Sequence, residues 1–340
     1  MRTLLKTICI ISLTILCSCN NQETPTKNQS RETLIETISQ TGDEIQKFPI
    51  FDFHTFEKIP GQIFGLISLS EIDQLSENED STAIPNIKGL SREEIEYLSL
   101  DSVYRKRFLY RTHISESDTL YIYDYYSNIL QKISVSNLTV SASLSGYAEA
   151  TEDGYSQFDY HIGFEIVPEY LKVDGQEICG YGYAYVGKKN PFIIGGMYPI
   201  RWERISLDKF PKTTISKEEQ ENLKGYKEVE AYKFSSTEYH YYLKQFTSDN
   251  YYSRQLVVKS TKSNKTVYMK FFHDRDFVEY APLNYIDSLD APILFQFSGR
   301  LLKNKPPVFF GLQLHSAGCP SIYFMDEKDQ EIEILCDNRH

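Results

Sequence analysis

Leu120-Tyr-Ile-Tyr-Asp-Tyr-Tyr126, then Ser127-Asn128, then Ile129-Leu-Gln-Lys-Ile-Ser-Val135 is the stretch that decides the fold. Two runs with a period of two residues flank a short polar pair, which is the pattern of a β-hairpin. A helix would repeat its apolar positions every three or four residues, and these runs do not.

The pattern continues downstream. Residues 138–147 and 157–167 read as two long strands joined through Thr151-Glu-Asp-Gly154, followed by shorter runs at 178–187, 192–194 and 200–206. Ser216-Lys-Glu-Glu219 has the form of a helix-starting capping box. Strand-like runs then resume at 229–234, 239–246, 255–260 and 266–272, and the last group lies at 293–297, 308–314, 322–325 and 332–335. About fourteen short strands separated by turn residues argue for antiparallel β-sandwich-like units. Upstream, the helical signals are few. Leu34, Ile35 and Ile38 share a face, 70–75 would make a short helix, and Ser91-Arg-Glu-Glu94 would cap a helix running through Ile95 and Leu98. The expected fold class is mainly β, a β-rich α+β chain with a small helix-containing N-terminal region. The expected divisions are an export segment at 1–18, a polar tether at 19–30, a mixed region at 31–115, and β units at 116–212 and 213–340.

Composition narrows the function classes. Hydrophobic residues make up 41% and aromatics 14% of the 340 residues, which suits a folded body rather than a disordered one. Tyrosine occurs 26 times against a single tryptophan, Trp202. The formal charge is −11, and near −13 once Arg2 and Lys6 leave with the first segment. Such a body is repelled by nucleic acid and by anionic lipid headgroups, so neither is an expected partner.

The address is written in residues 1–20. Arg2 and Lys6 precede an apolar run from Thr7 to Leu16 that ends in Cys17-Ser18-Cys19. A positive start, about ten apolar residues and a small residue before the cut make a secretory signal. The run is shorter than the roughly 20 residues that cross a bilayer. Leu16-Cys17-Ser18-Cys19 resembles the lipobox of bacterial lipoproteins. The resemblance implies that Cys19 carries diacylglycerol, becomes the new N-terminus and takes a further acyl chain such as palmitate. It also implies anchorage in the cell envelope. Asn20 after that cysteine is not the Asp linked in some bacteria to inner-membrane retention, which favours the outer membrane. The alternative is a plain secretory signal cut elsewhere, with Cys19 an ordinary thiol.

Candidate chemistry gathers in a few places. In Leu314-His315-Ser-Ala-Gly-Cys319-Pro320, a thiolate from Cys319 with His315 as base would serve nucleophilic catalysis. This run resembles in part the Ser-His-Gly-Cys strip of L,D-transpeptidases, which would imply action on peptidoglycan. It departs in residue order, in Pro320-Ser321 and in lacking an upstream His-Gly-Thr element. The competing reading is a turn whose cysteine is disulfide-bonded. Cys179, Cys319 and Cys336 remain after the export segment, in a compartment where disulfides persist. Cys319 and Cys336 flank a hairpin turning at 326–329. Pairing Ile322 with Ile334 and Phe324 with Ile332 would set Cys336 opposite Pro320, one position away from Cys319, unless a bulge at Pro320 repairs the match, so a Cys319–Cys336 disulfide and an unbonded pair both stand as expectations.

Asp52 and His54 would share a strand face as a metal pair might, and His273, Asp274 and Asp276 would suit a turn. None has a metal-ligand spacing, so no metal is expected, and no nucleotide- or phosphate-binding fingerprint points to a cofactor. In Cys179-Gly-Tyr-Gly-Tyr-Ala-Tyr-Val186, a strand would send Tyr181, Tyr183 and Tyr185 to one face and Gly180, Gly182 and Ala184 to the other. That tyrosine face would be either a stacking platform for sugar rings or aromatic peptide, or an ordinary half-buried sheet.

The expectation is therefore a lipid-anchored, non-catalytic envelope lipoprotein binding a protein or glycan partner. Two alternatives stand beside it: a peptidoglycan-modifying enzyme using Cys319 and His315, and an immunity-type periplasmic lipoprotein.

Overall fold

A computed structural model describes residues 49–337, except 74, 76–82, 152–153, 179, 250, 275–276, 288–292, 327 and 329. The expected export segment, Cys19, the tether, the helix over 34–38, Cys179 and Asp276 lie outside the described residues. What is described is mainly β, with 23 strands and three α-helices among those residues.

The hairpin at 119–134 forms, with one change. Its strands are Thr119–Asp124 and Ile129–Ser134, and the pairing closes at Asp124 opposite Ile129. The turn therefore takes four residues, Tyr125 to Asn128, rather than two. Asp124 causes this: its Oδ1 accepts from the backbone N–H of Tyr126 (2.9 Å) and Ser127 (3.0 Å), curling the chain early. Asn128 completes the turn with φ at +57°, a conformation that asparagine tolerates. Tyr125 and Tyr126 are thus released from the strand, and their rings reach the site described below.

The hairpin forms one end of a nine-stranded sheet. In spatial order this sheet runs Met197–Pro199, Phe297–Gly299, Val308–Phe310, Ser321–Phe324, Glu331–Leu335, Ile50–Asp52, Gly182–Gly187, Thr119–Asp124 and Ile129–Ser134. All its pairings are antiparallel except Ile50–Asp52 against Glu331–Leu335, which is parallel. The boundary expected at 212 does not divide this sheet, because strands from both sides of it interleave.

Two five-stranded antiparallel sheets flank it. One has the order His54–Ile59, Gln62–Ser68, Tyr160–Ile166, Thr139–Leu144, Tyr97–Ser99. The other is a meander of Glu203–Ile205, Lys227–Ser235, Tyr239–Thr247, Tyr252–Ser260 and Thr266–His273.

Strand alternation explains the three largest cores among the described residues. Leu120, Ile122 and Ala184 face a core shared with Ile67, Val140, Ile162 and Phe164 of the first five-stranded sheet. Their neighbours Tyr121, Tyr123 and Tyr183 face the other way, into a core with Phe297, Phe310, Ile322 and Ile334. These come from both halves of the same nine-stranded sheet, which has curled so that its inner face packs upon itself. On the outside of the later half, Phe309 and Met325 meet Tyr232, Tyr241, Leu256 and Trp202 in a third core under the meander. Hydroxyls stitch this interface: Tyr198 bonds Tyr241 at 2.8 Å, and Tyr241 bonds Ser298 at 2.9 Å.

The helices depart from expectation in instructive ways. The capping box at Ser91 and Glu94 is present, but the helix is only Arg92–Ile95. The chain then becomes the strand Tyr97–Ser99, whose pairing with Thr139–Leu144 buries Leu98. The longest described helix, Ser102–Arg111, was not expected. Asp101 caps it by accepting from the Val103 N–H, and Phe108 and Leu109 are its buried side chains. Ser216 caps Lys217–Asn222 as expected. Residues 70–73 make a single turn in place of a helix.

Candidate functional site

Strand Ile50–Asp52 is the starting point. Phe51 is paired on both sides, with Ala184 and Leu335, while Asp52 is paired only with Tyr183, and there the chain bends away. Asp52 makes the bend itself, since its Oδ1 accepts from the next backbone N–H, Phe53, at 2.9 Å. Its Oδ2 lies 3.2 Å from Nε2 of His54, an imidazole largely open to solvent. Burial raises the Asp52 pKa, while His54 and the Phe53 N–H work against that rise.

Beside this bend is a cleft of about 290 Å3, near the lower limit of the ~300–1,000 Å3 typical of ligand pockets. Its walls are three main-chain stretches: Asp52–His54, Gly180–Tyr183 and Leu312–His315. Phe272, Leu294, Phe295 and Phe310 give it an apolar floor. Tyr125, set free by the four-residue turn, packs within 5.1 Å of the rings of Tyr183, Phe297 and Phe310. Tyr126 stacks on Tyr181 at 5.4 Å. Burial pushes the Tyr125 and Tyr183 phenols above their ordinary value, so both stay protonated. Burial also lowers the His315 pKa, which favours the neutral imidazole at pH 7.

The shape of the walls is built in by Gly311 and a buried amide pair. A Cβ at Gly311 would sit 1.9 Å from the Phe295 carbonyl oxygen, and φ is +87°, so only glycine fits. Gln296, fully buried, donates from Nε2 to the carbonyls of Gly311 (2.7 Å) and Pro282 (3.0 Å). Its Oε1 accepts from the Asn284 N–H (2.8 Å) and the Trp202 indole (3.3 Å). Asn284, also fully buried, donates to the carbonyls of Ile200 and Gln296. Through its Oδ1 it accepts from the Phe295 N–H at 2.8 Å. Every polar end of the pair has a partner, so the floor and the Leu312–His315 wall are held together.

Most of the residues singled out in the sequence meet here, though in different roles. Asp52, His54, Tyr181, Tyr183 and His315 all line the cleft. Tyr185 does not: it is half-buried against the same core as Tyr183, so the three tyrosines form no open platform. On the opposite side of that strand, Ala184 is buried under the first five-stranded sheet. His273 is elsewhere, with its ring nitrogens 3.1 Å from the Ser253 hydroxyl and 3.0 Å from Glu219.

Cys319 is joined to Cys336 by a disulfide with Cα atoms 5.5 Å apart. The bonded sulfur offers no thiolate, so the Cys319–His315 nucleophile pair is not assembled. The hairpin register differs from the expected one: Ile322 pairs with Ile332 and Ser321 with Glu333, because Phe324 N–H closes a tighter turn onto the Gln330 carbonyl. The ladder ends where Ile334 N–H meets the Pro320 carbonyl, and the bridge closes just beyond it. Asp337, next to the bridge, lies 2.7 Å from His161 Nδ1 and accepts from the Ser68 hydroxyl, tying this end to the first five-stranded sheet. Glu71, Cys319 and Cys336 place three ligand-type atoms within 4.8 Å, but two of those atoms are the bonded sulfurs.

Compared with known proteins, the chain matches no family model, and no curated protein or solved structure is significantly similar to it. No described helix is long and apolar enough to cross a membrane. The fold and site define a β-sandwich-like body with an aromatic-floored cleft.

Proposed function

We propose that this chain is a lipid-anchored protein of the bacterial cell envelope, held through Cys19, that binds a protein or glycan partner in the cleft. It does no chemistry on that partner. The observation that carries this reading is the cleft itself, an apolar, ring-lined recess, with Cys319 beside its lining residue Pro320 tied up in a disulfide. Such a bond persists in oxidising compartments, which agrees with the export segment and the lipobox-like Cys19. Two acyl chains at Cys19 suffice for stable anchorage, with each buried CH2 contributing about 0.8 kcal/mol. The outer membrane is the favoured site, on the strength of Asn20.

The test has two arms. The mature chain should begin at Cys19 with added acyl mass, and Cys19→Ala should leave the membrane pellet. Wild-type protein solubilised from membranes should retain a partner that Tyr181→Ala loses. Sedimentation of Cys19→Ala with membranes, or turnover of peptidoglycan fragments by the purified protein, would refute the reading.

A further inference from the structure

The cleft receives consecutive residues from its walls, and this says how a partner enters. A strand that turns a face to a cavity lends it every second residue. Leu312, Gln313, Leu314 and His315 all line this one, so the strand Gln313–His315 presents an edge. On its other side that strand pairs with Val278–Tyr280 in a two-stranded ribbon. The bonds Ala281 N–H to Leu312 C=O and Ser316 N–H to Phe277 C=O fix the alternation. Leu314 is then the bonded residue opposite Glu279, and the N–H and C=O groups of Gln313 and His315 turn outward. Among the described residues nothing pairs with them.

We propose that the partner is an extended peptide that adds a strand to the Gln313–His315 edge, with alternate side chains entering the recess of Tyr125, Tyr183 and Phe310. This rests on the reading of the cleft as the binding site. One amide that a sugar would use is already engaged, since Gln313 Nε2 donates to the His273 carbonyl at 3.0 Å. The main-chain edge is what stands open, and an open edge is a template for another strand. Asp52 is the one acid and there is no Lys or Arg among the described lining residues. The peptide is therefore neutral or cationic, with large apolar side chains at every second position. A cleft of about 290 Å3 takes a short segment, not a folded module.

The probe is a displayed library of random linear dodecapeptides, panned against the full acylated chain in detergent. Enriched peptides should show apolar alternation and should slow amide exchange at Gln313 and His315. His315→Pro removes one outward N–H at an edge, where proline is tolerated. It should weaken the selected peptides about tenfold or more, while His315→Ala, which keeps the N–H, costs at most about threefold. Equal losses in the two variants, or unchanged exchange at 313 and 315, would overturn strand addition. So would self-association that His315→Pro abolishes, since the occupant would then be a second copy. An arm with soluble N-acetylglucosamine oligomers separates the two failures. If those bind and Tyr181→Ala blocks them while no peptide is enriched, strand addition falls and the cleft reading stands. If neither probe binds, both fall.

Discussion

Replacing Gln296 with leucine removes the side chain that ties the cleft floor to its wall. Four groups lose their partner: the carbonyls of Pro282 and Gly311, the Asn284 N–H and the Trp202 indole N–H. An orphaned buried group costs about 1–3 kcal/mol. The site is fully buried, so water does not readily replace the amide. Leucine returns part of the loss by burying apolar surface, at most about 1.5–3 kcal/mol. Four orphaned groups come to about 4–12 kcal/mol, so the net destabilisation expected is at least about 1 kcal/mol, against the 5–15 kcal/mol that holds a typical domain together. Trp202 is the only tryptophan, so its emission reports both on urea unfolding and on the loss of its own bond to Gln296. A shift in free energy below about 1 kcal/mol, with unchanged Trp202 emission, would refute the account of the amide pair as the brace of the cleft.

Breaking the Cys319–Cys336 bridge by Cys336→Ser should cost about 3 kcal/mol, the value for closing a loop of this order, here 17 residues. Thermal melts with and without reductant check it, since the wild type should fall to the variant's value and the variant should not move. Asp52 and His315 should tilt the pH dependence in opposite senses. Burial raises the Asp52 pKa, so its contribution to stability is present below the ordinary carboxylate value and is lost as pH rises through the raised one. Asp52→Asn should therefore stabilise at neutral pH, with the gain fading in acid. Burial lowers the His315 pKa, so its contribution is present above about pH 6.5 and is lost as pH falls toward the lowered value. His315→Gln should flatten that acid-side slope in melts taken from pH 4 to 8.

The elements legible in the sequence were those whose signal is local. Alternation in Leu120–Val135 gave a hairpin, and Ser91 with Glu94 gave a cap, because both depend on neighbours a few residues away. Helix Ser102–Arg111 escaped notice because it buries only Phe108 and Leu109, which makes too narrow a stripe to show a helical period. Three-residue strands such as Ile50–Asp52 are too short to display alternation, so their place is decided by long-range pairing. The same split runs through the site. Asp52, His54, Tyr181, Tyr183 and His315 each drew notice for their chemistry, but nothing in the spacing said that stretches 50–54, 180–183 and 312–315 would converge. Gln296 and Asn284 gave no signal, because an amide lacks both the charge that marks a reactive group and the period that marks a core position.

The parallel junction between Ile50–Asp52 and Glu331–Leu335 sets a timetable for the molecule. Made early in synthesis, the strand gains its two neighbours only when residues near 184 and then near 334 arrive. Closing so long a loop is slow and pays back late. Until then the strand has both edges bare, exposed to mispairing or to proteases, so maturation is expected to succeed or fail for the whole sheet at once.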